Sequence, residues 1–132
     1  METIRAYTTV EQSRKLAEIL PLESADMYYC YGMDIYTKKC DYDTVPTIID
    51  ADNQIDICDI PCWSLAALLN ILHSKVKNIL SLSGGGYKDG KYISDWCLDY
   101  EFENGDYQKT FAGNPIDACV EMILKLSELK IL

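Results

Sequence analysis

The chain has 132 residues, 12 basic and 21 acidic, for a formal net charge of −9, a length that suits one domain over residues 1–132 with a core large enough to need no disulfides. The acidic balance repels phosphate backbones and anionic membrane surfaces, which disfavours direct nucleic-acid binding. The longest apolar run, Leu65 to Leu72, is broken by Asn70 and too short for a membrane span, and residues 1–20 hold no continuous apolar signal core, so a reducing cytoplasm with six free thiols is expected.

Thr8 and Glu11 have capping-box spacing, and Val10, Ser13, Leu16, Ala17 and Leu20 then fall on one helical face, with Pro21 ending the helix. Residues 25–36 (ADMYYCYGMDIY) are rich in aromatics without a helical period, which predicts one strand or a pair of short strands. From Asp34 to Asp59 there are seven aspartates and two lysines, with short β-prone patches at 45–49 and 55–60. The stretch CWSLAALLNIL follows as a helix, with Asp59 as N-cap, Pro61 in its first turn and apolar residues almost all round, so it should be covered on both sides.

Residues 91–102 read as one strand, and Asn104-Gly105 as a two-residue turn pairing Tyr100 with Lys109 and Leu98 with Phe111 on the core face. Residues 79–83 form a third strand, joined through GGGYKDG, where Asp89-Gly90 marks a turn and one glycine of 84–86 supplies a bulge. The last helix opens on Asn114 and Pro115, and Asp117, Glu121, Lys125 and Glu128 form its narrow polar stripe. The order predicts an α+β fold: an antiparallel sheet of three to five strands packed with about three helices, or an α/β/α sandwich.

Cys30, Cys40, Cys58, Cys62 and His73 cluster in sequence, yet only Cys58 and Cys62 have the close spacing of zinc ligands, so no metal site is expected. A thiolate at Cys62 would be favoured by a helix N-terminus. Its one candidate base, His73, lies about 16 Å further along the same helix, too far for a dyad. Gly84-Gly85-Gly86 is followed by no Gly-Lys-Ser/Thr, which removes a phosphate loop. No cofactor and no catalytic residue is read.

Asp95, Asp99, Glu101 and Glu103 stand at two-residue steps on one strand face, with Asp106 at the turn, which suits a solvated face or a mimic of DNA's phosphate row. Ten tyrosines are the most unusual feature of the composition. The crowd at Tyr28, Tyr29, Tyr31, Tyr36 and Tyr42 serves either core packing or a protein interface.

The segments VEQSRKLAEILP, PCWSLAALLNIL and FAGNPIDACVEMILKLSEL together resemble small proteins encoded by phages, prophages and mobile elements of gut bacteria. The ending is similar to the terminal helix of phage ABA-sandwich domains. This resemblance implies an α/β/α layered fold and a phage-borne origin, and brings no activity with it. The expected function is a non-enzymatic interaction protein with an unknown protein partner, using Tyr28, Tyr29, Tyr31, Tyr36 and Trp63. An acidic DNA-mimic inhibitor and a small enzyme of another type are the alternatives. Surplus apolar helix surface further predicts a homodimer with Trp63 or residues 28–36 near its interface.

Overall fold

The computed structural model describes residues 5–33, 35–75, 80–101 and 106–131. These residues form an α+β fold of three α-helices and several antiparallel sheets of two or three strands, divided between two compact units, Tyr7–Ala67 and Met1–Ala6 with Leu68–Leu132. The expected single sheet is thus replaced by two three-stranded and two two-stranded ones.

In the first unit, helix α1 (Val10–Ala17) is capped one residue later than its spacing predicts. The Thr9 hydroxyl accepts from the Gln12 amide at 3.1 Å while the Gln12 side chain accepts from the Thr9 amide at 3.0 Å. Thr8 is thereby released for the interior, where it is fully buried. Strand β1 (Met27–Tyr29) is flanked by β4 (Thr47–Ile48) and β5 (Ile60–Cys62), and α1 packs against β5. Strands β2 (Tyr31–Met33) and β3 (Cys40–Tyr42) form a separate ribbon.

Residues 60–62 are strand, not helix, which corrects the reading of Asp59 as a helix cap. Ladder pairing of Ile60, Pro61 and Cys62 with Tyr29, Tyr28 and Met27 outweighs the local Asp-x-Pro signal. Helix α2 (Leu65–Lys75) starts instead behind Ser64, whose hydroxyl accepts from the Ala67 amide at 3.2 Å. Asp26 in turn holds Ser64, accepting from its amide at 2.9 Å and from its hydroxyl. Leu68 and Leu72 are buried, but Ala66, Asn70 and His73 form an exposed stripe, so α2 is not covered all round.

In the second unit, β6 (Leu80–Ser83), β9 (Trp96–Glu101) and β10 (Tyr107–Ala112) are ordered β10-β9-β6. Helix α3 (Pro115–Glu128) covers β9 and β10, opening as expected with the Asn114 side chain accepting from the Asp117 amide at 2.9 Å. Its buried face, Ile116, Cys119, Val120, Met122, Ile123 and Leu126, meets the sheet side that carries Leu98 and Tyr100.

The register of β9 with β10 is one residue off the expected one: Tyr100 faces Gln108, Asp99 faces Lys109 and Leu98 faces Thr110. The Thr110 hydroxyl then reaches the Ala118 carbonyl at 2.8 Å, a hydrogen bond that satisfies it inside the core. Asn104-Gly105, the expected turn, lies outside the described residues. Residues 91–102 are not one strand either. The segment breaks at Ser94 and Asp95 into β8 (Lys91–Ile93), which pairs with β7 (Gly86–Lys88) around the Asp89-Gly90 turn, and β9. Both turn residues have positive φ, 52° and 80°, as a type I′ hairpin requires. Leu80 and Leu82 face Tyr100 and Leu98 on the core side, brought there by this whole hairpin rather than by a single bulge.

Candidate functional site

The tyrosine segment divides at Cys30. Tyr28 and Tyr29 belong to the central strand of their sheet and are buried on its two sides. The Tyr29 hydroxyl donates to the Thr8 carbonyl at 2.7 Å. Trp63 is 0 % exposed, and its indole N–H donates to the Ser24 hydroxyl at 3.0 Å. These three aromatics are core and offer no contact surface of their own, which corrects their place among the candidate interaction residues.

Tyr31 and Tyr36 are on the surface, on the β2–β3 ribbon and its turn. Antiparallel register sets Tyr31 opposite Tyr42 and Met33 opposite Cys40, so these four side chains share one face. The Tyr31 and Tyr42 rings meet at 4.9 Å between centroids, and Arg14 lies 5.2 Å over the Tyr42 ring. Tyr42 is anchored in turn against the buried cluster of Tyr29, Ile60 and Cys62. Beyond this anchor the ribbon is apolar and wet: Met33 is 61 % exposed, Ile35 75 % and Tyr36 90 %. The Asp59 carboxylate fixes the ribbon's base by accepting from the Tyr31 amide at 3.0 Å. A hydrogen bond with the Cys40 thiol, the nearby thiol charge and partial loss of hydration push the Tyr31 phenol above its ordinary range.

Met33 and Ile35 were not marked by reasoning on tyrosines alone. The available signal was their two-residue spacing from Tyr31, ending beside Tyr36, in a stretch whose other half, Tyr28-Tyr29, is needed for the core.

The carboxylate row is interrupted. Asp95 sits in the break before β9, Asp99 and Glu101 are half-buried on the face away from α3, and Glu103 lies outside the described residues. Lys109 stands beside Asp99 at 3.6 Å, so the row is locally neutralised.

Among the cysteines, Cys58 is exposed and Cys62 fully buried, which separates the one pair with metal-like spacing. Cys62 lies in a buried polar knot, within 3.4 Å of the Thr8 hydroxyl and carbonyl, and burial raises its thiol pKa despite those hydrogen bonds. It is on a strand rather than at a helix start, so no helix dipole activates it. Among the described residues no three His, Cys, Asp or Glu side chains converge to hold a metal ion, and no helix is long and apolar enough to cross a membrane.

No protein-family model matches the chain, and neither a curated protein nor a solved structure does.

Proposed function

We propose that the protein is a non-enzymatic binding module that engages another protein through the β2–β3 ribbon, as an accessory factor of phage or mobile-element origin. The observation that carries this reading is the exposure of Tyr31, Met33, Ile35 and Tyr36 along one short ribbon and its turn, anchored by Tyr42 and Asp59. Large apolar side chains grouped on a surface are costly in water and characteristic of contact surfaces. Tyrosine adds wide contact area at low conformational cost. The resemblance of the opening and closing helices to phage-encoded proteins supports the setting.

A photo-crosslinking residue at position 36 should trap one discrete protein in the cell of origin, and the same residue at Lys15 should not. Met33→Ser with Ile35→Ser should abolish the adduct while leaving the circular dichroism spectrum unchanged. An adduct that survives the double substitution would refute the reading, as would one formed equally from both positions. An adduct only with a second copy of the chain would replace the foreign partner by a homodimer.

A further inference from the structure

Two sulfur-bearing side chains face each other across the β2–β3 ladder, where Met33 is the register partner of Cys40. The hydrogen-bond phase of the ladder makes this a close pair. At the next pair of the same register the Asp43 amide donates to the Cys30 carbonyl at 2.9 Å, and bonded and non-bonded pairs alternate along an antiparallel ladder. Tyr31 with Tyr42 and Met33 with Cys40 are therefore non-bonded pairs. The Tyr31 amide agrees with this phase, since it points off the ribbon to the Asp59 carboxylate. Non-bonded pairs hold their side chains closer than bonded ones, with Cβ atoms about 4.5–5.5 Å apart.

At that separation both sulfurs reach one small ion. Metal–sulfur bonds of roughly 2.3 Å need the sulfurs no more than about 4.6 Å apart, and the unbranched methionine arm turns on three bonds to meet that spacing. Both ends are open to solvent, since Met33 and Cys40 are exposed. The Tyr31 phenol is hydrogen-bonded to the Cys40 thiol, which orients the sulfur on the same face. Two contrasts single out this pair. Met27 also faces a cysteine, Cys62, but that thiol is fully buried and bonded to Thr8. Cys58 is exposed but sits in the turn closed by the Asp59 amide on the Asp56 carbonyl, where no ladder sets a methionine against it.

We propose that Met33 and Cys40 bind one copper(I) ion through a thioether and a thiolate. The donor chemistry names the ion, because thiolate and thioether select soft cations whereas carboxylates and carbonyls select hard ones. Structural zinc takes four ligands, and among the described residues no three His, Cys, Asp or Glu side chains converge to supply them. Copper(I) is stable with two sulfur ligands. Binding releases the Cys40 proton to water and forms a copper–thiolate and a copper–thioether bond, and the copper stays in its +1 state with no electron transferred. Close spacing along the chain does not reveal such a pair, since these sulfurs meet only across the ladder. The inference rests on ladder geometry and goes beyond the partner binding proposed for the same ribbon.

The test titrates the purified full chain, without oxygen, with copper(I) supplied as its bicinchoninate complex, whose colour reports transfer, and counts bound copper by native mass spectrometry. The first step should load one copper per chain and protect Cys40, but not Cys58, from iodoacetamide. Met33→Leu, which keeps an apolar side chain and removes the sulfur, should weaken this step about tenfold or more. Cys40→Ser should abolish it, and Cys58→Ser should leave it unchanged. Circular dichroism checks that each variant folds. No partner is present in the assay, so its failure and the failure of the ribbon as a protein contact are read separately. Equal affinity in Met33→Leu would reduce the effect to ordinary thiol capture and overturn the proposal. So would first-step protection of Cys58 in place of Cys40, or displacement of the copper by equimolar zinc.

Discussion

The Lys109 ammonium stands 3.6 Å from the Asp99 carboxylate, directly opposite it across the β9–β10 ladder. The pair is about one-third exposed at both ends, so water and salt screen it and its worth is small. A double-mutant cycle with Asp99→Asn and Lys109→Met should give a coupling of about 0.3–1 kcal/mol at low salt. The coupling should fade as sodium chloride is raised. A coupling near zero at low salt would show that the two charges are not held together in solution.

The thiols should react in three classes. Cys40 and Cys58 are exposed, whereas Cys62, Cys97 and Cys119 are buried, and burial pushes the Cys119 thiol up to about 12. A thiol reagent at neutral pH should therefore label Cys40 and Cys58 first, Cys30 more slowly and the other three only on unfolding. Raised thiol pKa values also fix the sign of an alkaline effect. Between the ordinary value of 9.0 and about 12, the unfolded chain loses the Cys119 proton while the folded chain keeps it, so stability is full below pH 9 and falls as pH rises through that window. Cys119→Ala should flatten the slope of unfolding free energy against pH in that range, as read from urea titrations. An unchanged slope would assign the alkaline loss to other groups.

Local chemistry made some elements legible. Asn114-Pro115 opens α3 and Asp89-Gly90 turns β7 into β8 because each needs only the conformational preferences of adjacent residues. Where partners distant in sequence compete with local signals, reading failed. Asp59 and Pro61 have the form of a helix start, but pairing with Met27–Tyr29 draws residues 60–62 into a strand, and Ser64 with Asp26 starts the helix later. The β9–β10 register slipped by one for a similar reason: the Thr110 hydroxyl finds its partner in Ala118, on a helix no turn rule considers. The α+β class survives these errors because it depends on element types and not on boundaries. Of the surface residues, Tyr31 and Tyr36 were legible as aromatics, while the burial of Tyr28, Tyr29 and Trp63 depends on strand order and was not.

Thr8 is the hub of the buried polar knot. Its hydroxyl accepts from the Trp63 amide at 3.2 Å and shares bonds with the Ser13 hydroxyl at 2.8 Å and the Cys62 thiol at 3.4 Å. Thr8→Val keeps the shape and the backbone carbonyl that the Cys62 thiol also reaches, but removes the side-chain acceptor of the buried Trp63 amide, at a cost of about 1–3 kcal/mol. Ser13→Ala, which removes one contact and leaves the Trp63 amide satisfied, should cost less. Denaturant unfolding of the two variants checks the order, and a Ser13→Ala loss as large as that of Thr8→Val would show that Thr8 is not the hub.

Gly86 is where the β7–β8 hairpin meets the outer face of the β9–β10 pair. A Cβ there would lie 3.1 Å from the Cys97 sulfur, 3.2 Å from the Cys97 Cβ and 3.3 Å from the Phe111 ring, closer than ordinary contacts. An alanine would need its neighbours to give by a few tenths of an ångström, and a valine adds two methyl groups where packed atoms leave no space. Gly86→Val should therefore destabilise by about 1–3 kcal/mol, the usual cost of overpacking. It should act by prising the hairpin from its support rather than by unfolding α3. Two readouts distinguish this from general damage. The Cys97 thiol, buried beneath the hairpin, should become reactive under native conditions, while Cys119 should stay protected on α3. Gly32, on the exposed β2–β3 ribbon with nothing within 4 Å of a Cβ, provides the control, and Gly32→Ala should change neither stability nor the reactivity of Cys97. If Gly86→Val leaves Cys97 unreactive in a folded protein, or exposes Cys97 and Cys119 together, the hairpin is not the separable cover that its contacts with Cys97 and Phe111 describe.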